Sequence, residues 1–201
     1  MPWVQALLKS LNARCAVTRL VSRSDWNTLK FTLIPSAQVP HLLDKPLQWS
    51  LALWGEGKEE FTAEDWHTFY ARVLKSDYES WNQSSDNKEL LFLAVDEANE
   101  VIAAIGLCDF DDLEEFRHLK PWFCAFVVRE DLRGSGVGSQ VLNQMEMKAM
   151  EFGITKAYLW TEDQVSFYAK RGYEEIDQLH KTGRTLYIMV KELNNQDHNI
   201  E

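Results

Sequence analysis

The sequence predicts an α/β domain, a mixed sheet with helices on its faces. Apolar runs of strand length recur at residues 90–95, 101–107 and 122–128, and stretches with apolar residues three and four apart lie between other such runs. A glycine-rich segment, Arg133-Gly134-Ser135-Gly136-Val137-Gly138, joins one of these strands to a helix. With 201 residues and 45% hydrophobic content, the chain can bury a sizeable core.

Residues 1–27 carry Trp3, Leu7, Leu8 and Leu11 at helical spacing, interrupted by Lys9, Asn12 and Arg14 before a secretion signal could form. They read as an N-terminal extension with a short helix, and the domain proper is expected over 28–193. Residues 28–34 alternate and stop at Pro35, a first strand. Val39, Leu42, Leu43, Leu47, Leu51 and Trp54 predict one or two helices over 39–54, with a new start at Pro46 and an end at Gly55 and Gly57. Thr62 followed by Glu64 and Asp65 opens the next helix, which runs through Trp66, Phe69, Val73 and Leu74 toward Trp81. Residues 90–95 and 101–107, separated by Asp96-Glu97-Ala98-Asn99-Glu100, form a hairpin, and residues 109–119 an acidic loop. Beyond the glycines, Val137, Val141, Met145 and Ala149 repeat every four residues, so this helix buries one face before Gly153. Residues 156–160 form a strand, 164–171 a short helix, 173–179 and 185–193 a closing strand pair, and 194–201 a polar tail.

The 31 acidic and 21 basic residues, a net charge of -10, weigh against nucleic acid and anionic membrane as partners. The same excess suits a cationic substrate or simply solubility. Cys15, Cys108 and Cys124 form no C-x-x-C, and His41, His67, His180 and His198 have no companions at ligand spacing. Neither a disulfide framework nor a metal site is expected, and the cytoplasm is the default compartment. No stretch approaches the roughly 20 apolar residues of a membrane-spanning helix.

Where a strand enters a helix through glycines, bare backbone N–H groups and the positive end of the helix dipole favour a phosphate. A P-loop is excluded, because no lysine lies in residues 134–140. A dinucleotide fingerprint from Gly134 would need glycine or alanine where Ser139 stands, and residues 129–133 separate the strand from the turn.

Arg133-x-x-Gly136-x-Gly138 has the spacing R/Q-x-x-G-x-G/A, and Phe167-Tyr168-Ala169-Lys170-Arg171-Gly172-Tyr173 is similar to F/L-Y-x-x-x-G-F/Y. On these two motifs, in this order, the chain resembles the GCN5-related N-acetyltransferase (GNAT) superfamily from about residue 28 to residue 193. The resemblance implies a twisted, mixed but mostly antiparallel sheet of about seven strands with helices on both faces, acetyl-coenzyme A as co-substrate, and no metal. It implies that the backbone of Phe126, Val127 and Val128 pairs with the pantetheine arm. Gly134, Ser135, Gly136, Val137, Gly138 and Ser139 would then cradle the pyrophosphate, a side chain on Gly136 or Gly138 obstructing it, while Arg133 either neutralises phosphate or orients the loop.

Tyr168 matches the family's general acid, which protonates the departing sulfur, although a tyrosine beside a helix end also serves as core. The general base is open: Asp111 and Asp112 lead the candidates in the acidic loop, with Asp109, Glu114, Glu115 and His118 close in sequence. The chain departs from the family at the strand ending Tyr158-Leu159-Trp160, where a glutamate is common, and at Thr161, where an asparagine often contacts the cofactor. Trp49, Trp54, Trp66 and Trp81 fall on the regions that wall the family's acceptor site. The implied reaction is direct acetyl transfer to a primary amine in a ternary complex, a small amine or amino sugar being favoured. A protein N-terminus as acceptor, or a non-catalytic acyl-coenzyme A-binding regulatory module, are the alternatives. The closing strand pair offers an edge through which a homodimer could form.

Overall fold

The computed structural model describes residues 29–55, 62–76, 81 and 88–193. The helix expected in residues 1–27 and the tail at 194–201 lie outside the described residues. Seven strands form one sheet: β1 (Phe31–Pro35), β2 (Glu89–Asp96), β3 (Val101–Cys108), β4 (Trp122–Val128), β5 (Lys156–Thr161), β6 (Glu174–Lys181) and β7 (Arg184–Glu192). Their order is β1-β2-β3-β4-β5-β7-β6, and every neighbouring pair is antiparallel except β4 with β5.

The β2–β3 hairpin closes because Asp96 Oδ1 accepts the backbone N–H groups of Ala98 and Glu100, both at 2.9 Å, while Asn99 takes a left-handed φ of 61°. Alternation along β2 divides the core: Leu90, Phe92 and Ala94 face one helical layer, Leu91, Leu93 and Val95 the other. The first layer is α3 (Val137–Glu151), whose Val137, Val141, Met145 and Ala149 are buried at the expected four-residue spacing. The second holds α1 (Asp44–Ser50) and α2 (Ala63–Val73), with Tyr70 and Val73 buried against the sheet. A short helix, α4 (Val165–Ala169), precedes the closing pair.

Two regions differ from the sequence expectation. The stretch from Val39 to Trp54 breaks into 3-10 turns at Ser36–Gln38 and Pro40–Leu42, then α1, then a π-helical turn at Leu51–Gly55. Pro46 is the third residue of α1, in the first turn where its missing N–H costs no intrahelical bond, so the new start expected there falls two residues earlier, at Asp44. The capping box of α2 is present, with Thr62 N–H donating to Asp65 Oδ2 at 2.8 Å and Asp65 N–H donating to Thr62 Oγ1 at 3.3 Å. That helix stops at Val73, because Lys75 and Ser76 turn tightly back onto the Arg72 and Val73 carbonyls. Trp81, expected on its continuation, is buried against Phe152 with ring centroids 5.9 Å apart.

The parallel ladder between β4 and β5 holds a single register pair, Trp122 with Tyr158. Beside it, the pairing of β3 with β4 shifts between Ala104 and Gly106, and Ala125 adopts a φ of 47°. A bulge of this kind bends its strand, and here β4 leaves β5 on its way to Val128. The sheet is split at its centre. At the far edge β6 is exposed and carries Glu174, Glu175 and Asp177, charges that oppose pairing with a second copy.

Candidate functional site

β4 delivers the chain through a 3-10 turn, Glu130–Leu132, into the glycine loop and then α3. Gly134 and Gly136 have φ of 74° and 97°, and a Cβ on either would meet nothing within 4 Å. Left-handed backbone, not crowding within the chain, is what requires glycine at these two positions. Gly138 is different: its Cβ would sit 3.6 to 3.8 Å from Val128, Phe167 and Phe126, ordinary contact. The two glycines expected to act alike are therefore held for different reasons.

Gly136 is the N-cap of α3, and no side chain among the described residues caps that end. The first N–H groups of α3 thus lack the side-chain acceptor that most helix starts provide, beside open space above two glycines. A pyrophosphate fits such a cradle. Around it, Ser135 Oγ donates to the Leu132 carbonyl, and Ser139 Oγ accepts from the Arg171 guanidinium. Arg171 lies 3.7 Å over the Phe167 ring and also donates to the Phe167 carbonyl, tying α4 to the loop. Arg133 is exposed, and its Nε donates to the Val128 carbonyl at 3.0 Å. Phe126 and Val128 pack with the α3 layer, while Val127 is buried on the opposite one.

A cavity of about 420 Å³ opens beside the split in the sheet. Tyr168 from α4, Asp111 and Asp112 from the loop after β3, and Phe126 from β4 all line it, so residues from three separate segments meet there. Trp54 and Trp66 form a further wall, stacked with centroids 5.2 Å apart, and Phe69 meets Trp66 edge-on at 6.0 Å. Trp49 packs with the α1–α2 layer and Trp81 in the core, so neither joins the lining. Nor do Asp109, Glu114, Glu115 or His118; Glu114 pairs with Arg117. Trp160 lines the cavity at the end of β5, and the Thr161 hydroxyl accepts the Gln164 N–H at 3.1 Å, closing the turn into α4.

Sequence reasoning missed several charged members of this lining: Arg72, Glu162, Asp163, Lys181 and Arg184. Arg72 is bound in a two-pronged contact to Glu89 at 2.7 and 2.8 Å, and Arg184 to Glu162 at 2.7 Å. Burial, followed by the neighbouring Asp112 charge, pushes the Asp111 carboxyl up to about 8, while the Trp160 indole beside it pulls the other way. Burial also raises Asp112, with Arg72 restraining it. The Tyr168 hydroxyl is raised by burial against the opposing effect of Arg171, which keeps it a donor at neutral pH. Its ring is held edge-on by Phe167 at 5.0 Å and Tyr173 at 5.7 Å. A further cluster was invisible in the sequence: the buried free thiols of Cys108 and Cys124 come together with Asp111.

The fold recurs in solved structures. A GNAT family acetyltransferase from Elizabethkingia anophelis with acetyl-CoA bound superposes with a TM-score of 0.51 at 19% identity, covering 81% of this chain and 98% of that one. An acetyltransferase of the GNAT family from Staphylococcus aureus Mu50 gives 0.53 at 16% identity, covering 82% and 100%. The spermidine/spermine N-acetyltransferase SpeG from Vibrio cholerae, in complex with manganese ions, gives 0.55 at 16% identity, covering 88% and 99%. At these identities the likeness speaks for the fold. The model of the acetyltransferase (GNAT) family matches residues 58–173, more than half of the chain and including both the glycine loop and Tyr168. The chain belongs to the acetyltransferase (GNAT) family and is an acyltransferase of that class.

Proposed function

We propose that the protein transfers the acetyl group of acetyl-coenzyme A to the primary amine of a small cationic acceptor, by direct attack within a ternary complex. The observation that carries this reading is the single cavity in which Tyr168 and the Asp111–Asp112 pair face the open side of β4. Acetyl-coenzyme A supplies the acyl group and a sulfur leaving group. The chain's own part begins at the cradle: the backbone of Gly134 to Ser139 and the start of α3 hold the pyrophosphate, and the edge of β4 from Phe126 to Val128 aligns the arm beyond it. Asp111 or Asp112 accepts the proton of the incoming ammonium, which frees the nitrogen lone pair for attack. As the carbon–sulfur bond breaks, the Tyr168 hydroxyl gives its proton to the sulfur, and the second proton shed by the nitrogen as the amide forms returns to the tyrosine oxygen through solvent.

The lining supports a cationic acceptor. Arg72 is held by Glu89 and Arg184 by Glu162, and burial raises Asp111, so the lining that remains sets Asp65, Asp112 and Asp163 beside Lys181. An acidic peptide N-terminus would meet like charge there, whereas an ammonium on an apolar or sugar body suits the acids and the Trp54–Trp66 wall. In this reading residues 28–193 are the transferase domain, 1–27 an extension and 194–201 a tail, and the free thiols suit the cytoplasm.

A thiol-release assay over a panel of amines, run in parallel on wild type and Tyr168→Phe, tests the proposal. Turnover on at least one small amine is expected, with the variant slower by about 10²-fold or more and its acetyl-coenzyme A affinity within about twofold. Equal turnover in the two proteins refutes the role of Tyr168. Acetyl-coenzyme A binding without turnover on any amine refutes the enzymatic reading in favour of a regulatory module.

A further inference from the structure

We propose that Cys108, Asp111 and Cys124 form a binding site for a thiophilic divalent cation, with zinc as the reference case, in the wall of the acceptor cavity. Cys108 ends β3 and Cys124 lies within β4, and the register pairs Cys108 with Trp122 and Gly106 with Cys124. The two cysteines are therefore diagonal neighbours on one face of the sheet. Asp111 follows β3 by three residues and turns back over them. One ligand atom from each residue lies within 4.8 Å of the other two.

A tetrahedral centre with metal–sulfur bonds of about 2.3 Å and a metal–oxygen bond of about 2.1 Å sets its ligand atoms about 3.6 to 3.8 Å apart. Side-chain torsions of roughly an ångström therefore close the site, with no strand moving. Two sulfurs and one carboxylate select against magnesium and calcium, which take oxygen ligands, and in favour of zinc or cadmium.

Gly106 leaves the room in which the Cys124 sulfur sits. A Cβ at that position would lie 2.5 Å from Cys124 Sγ, so the sulfur occupies the volume that any other residue at 106 would fill. Both cysteines are buried, yet Cys124 and Asp111 also border the cavity, which leaves a fourth ligand position facing the acceptor side. On binding, two metal–sulfur bonds and one metal–oxygen bond replace bonds from the cation to water, the two thiol protons and any proton on the Asp111 carboxyl pass to solvent, and no group changes oxidation state. Occupancy withdraws Asp111 from proton acceptance, so where Asp111 is the acceptor of the Asp111–Asp112 pair the cation inhibits acetyl transfer. This inhibitory consequence rests on the transferase reading above, whereas the binding does not.

The test is a cobalt(II) titration of the full chain under anaerobic conditions. The expected result is a thiolate-to-cobalt charge-transfer band with tetrahedral visible bands, saturating at about one equivalent and displaced by zinc. Cys108→Ser and Cys124→Ser should each weaken binding at least tenfold, by about 1.4 kcal/mol or more, while Cys15→Ser leaves it unchanged. No thiolate band, or a band that depends on Cys15 and not on Cys108, overturns the site. X-ray absorption at the cobalt edge of the wild-type complex needs no variant: two sulfur neighbours support the site, and a shell of oxygen and nitrogen alone overturns it. Zinc should also stop thiol release and a chelator restore it. Zinc bound through both sulfurs and the Asp111 carboxylate with turnover unchanged leaves the site standing and assigns proton acceptance to Asp112.

Discussion

Gly106 has no left-handed backbone to justify it, so its cost of replacement is a matter of space. Its Cβ would meet Cys124 Sγ at 2.5 Å, the Cys124 carbonyl at 3.2 Å and the Leu90 carbonyl at 3.4 Å. β3 is paired on both edges, to β2 and to β4, and cannot slide away from either contact. In Gly106→Ala the sulfur must therefore rotate out of a packed interior, an overpacking change of about 1 to 3 kcal/mol. For a chain of this length that corresponds to a Tm lower by about 2 to 12 °C. Cys124→Ala removes the sulfur and leaves only the two longer carbonyl contacts. In that background the same glycine replacement should cost about 1 kcal/mol or less, giving a favourable coupling of about 1 to 2 kcal/mol. Thermal and urea unfolding of the four proteins measures the cycle. If Gly106→Ala costs the same in both backgrounds to within about 0.5 kcal/mol, the sulfur is not the obstacle and the argument fails.

Other consequences are equally open to measurement. Gly136→Ala forces a side chain onto a φ of 97° and should cost about 1 to 2 kcal/mol, whereas Gly138→Ala, with contacts no closer than 3.6 Å, should be neutral or stabilising by up to about 1 kcal/mol; equal urea midpoints would contradict this. Lys191 and Glu146 form a buried ion pair at 2.8 Å between β7 and α3, and Lys191→Met removes the cation beside that buried carboxylate at a cost of about 3 to 5 kcal/mol. The double variant with Glu146→Leu should recover most of that loss, and a single variant losing under about 1 kcal/mol would refute it. Trp66→Ala removes half of the stacked wall and should raise KM for the amine about tenfold while leaving acetyl-coenzyme A affinity unchanged by calorimetry. A shift in the cofactor's affinity instead would assign Trp66 to the donor side.

Much of the fold was legible because its signals are local. The hairpin turn at Asp96 to Glu100, the four-residue stripe of α3 and the Thr62–Asp65 capping box each depend on residues within a few positions of one another. The stretch from Val39 to Trp54 was harder, since apolar residues three or four apart fit a 3-10, an α and a π turn alike, and all three occur there. The approach of Tyr168 to Asp111 followed from strand order and motif. The Cys108–Cys124 contact did not, because it depends on a register shift between β3 and β4 that no spacing encodes. Glu146 had a readable signal: it follows Leu142 by one turn and adjoins the stripe at Met145, so helical phase alone puts it at a buried edge. Its partner Lys191 lies on a strand far along the chain, and only the sheet order brings the two together.

The lone rung between β4 and β5 leaves the two strands without a shared ladder along most of their length. Strands in a ladder sit about 4.8 Å apart, so an opening between diverging strands is framed by backbone before it is framed by side chains. In the transfer reading proposed above, an extended, narrow chain bearing amide groups would suit such an opening better than a branched or globular ligand of equal mass. Selection of this sort resists mutation, since no single side chain can be exchanged to widen or close it. Changes in Phe126 or Asp111 can alter what is carried in or received there, but the admitted shape is a property of the backbone.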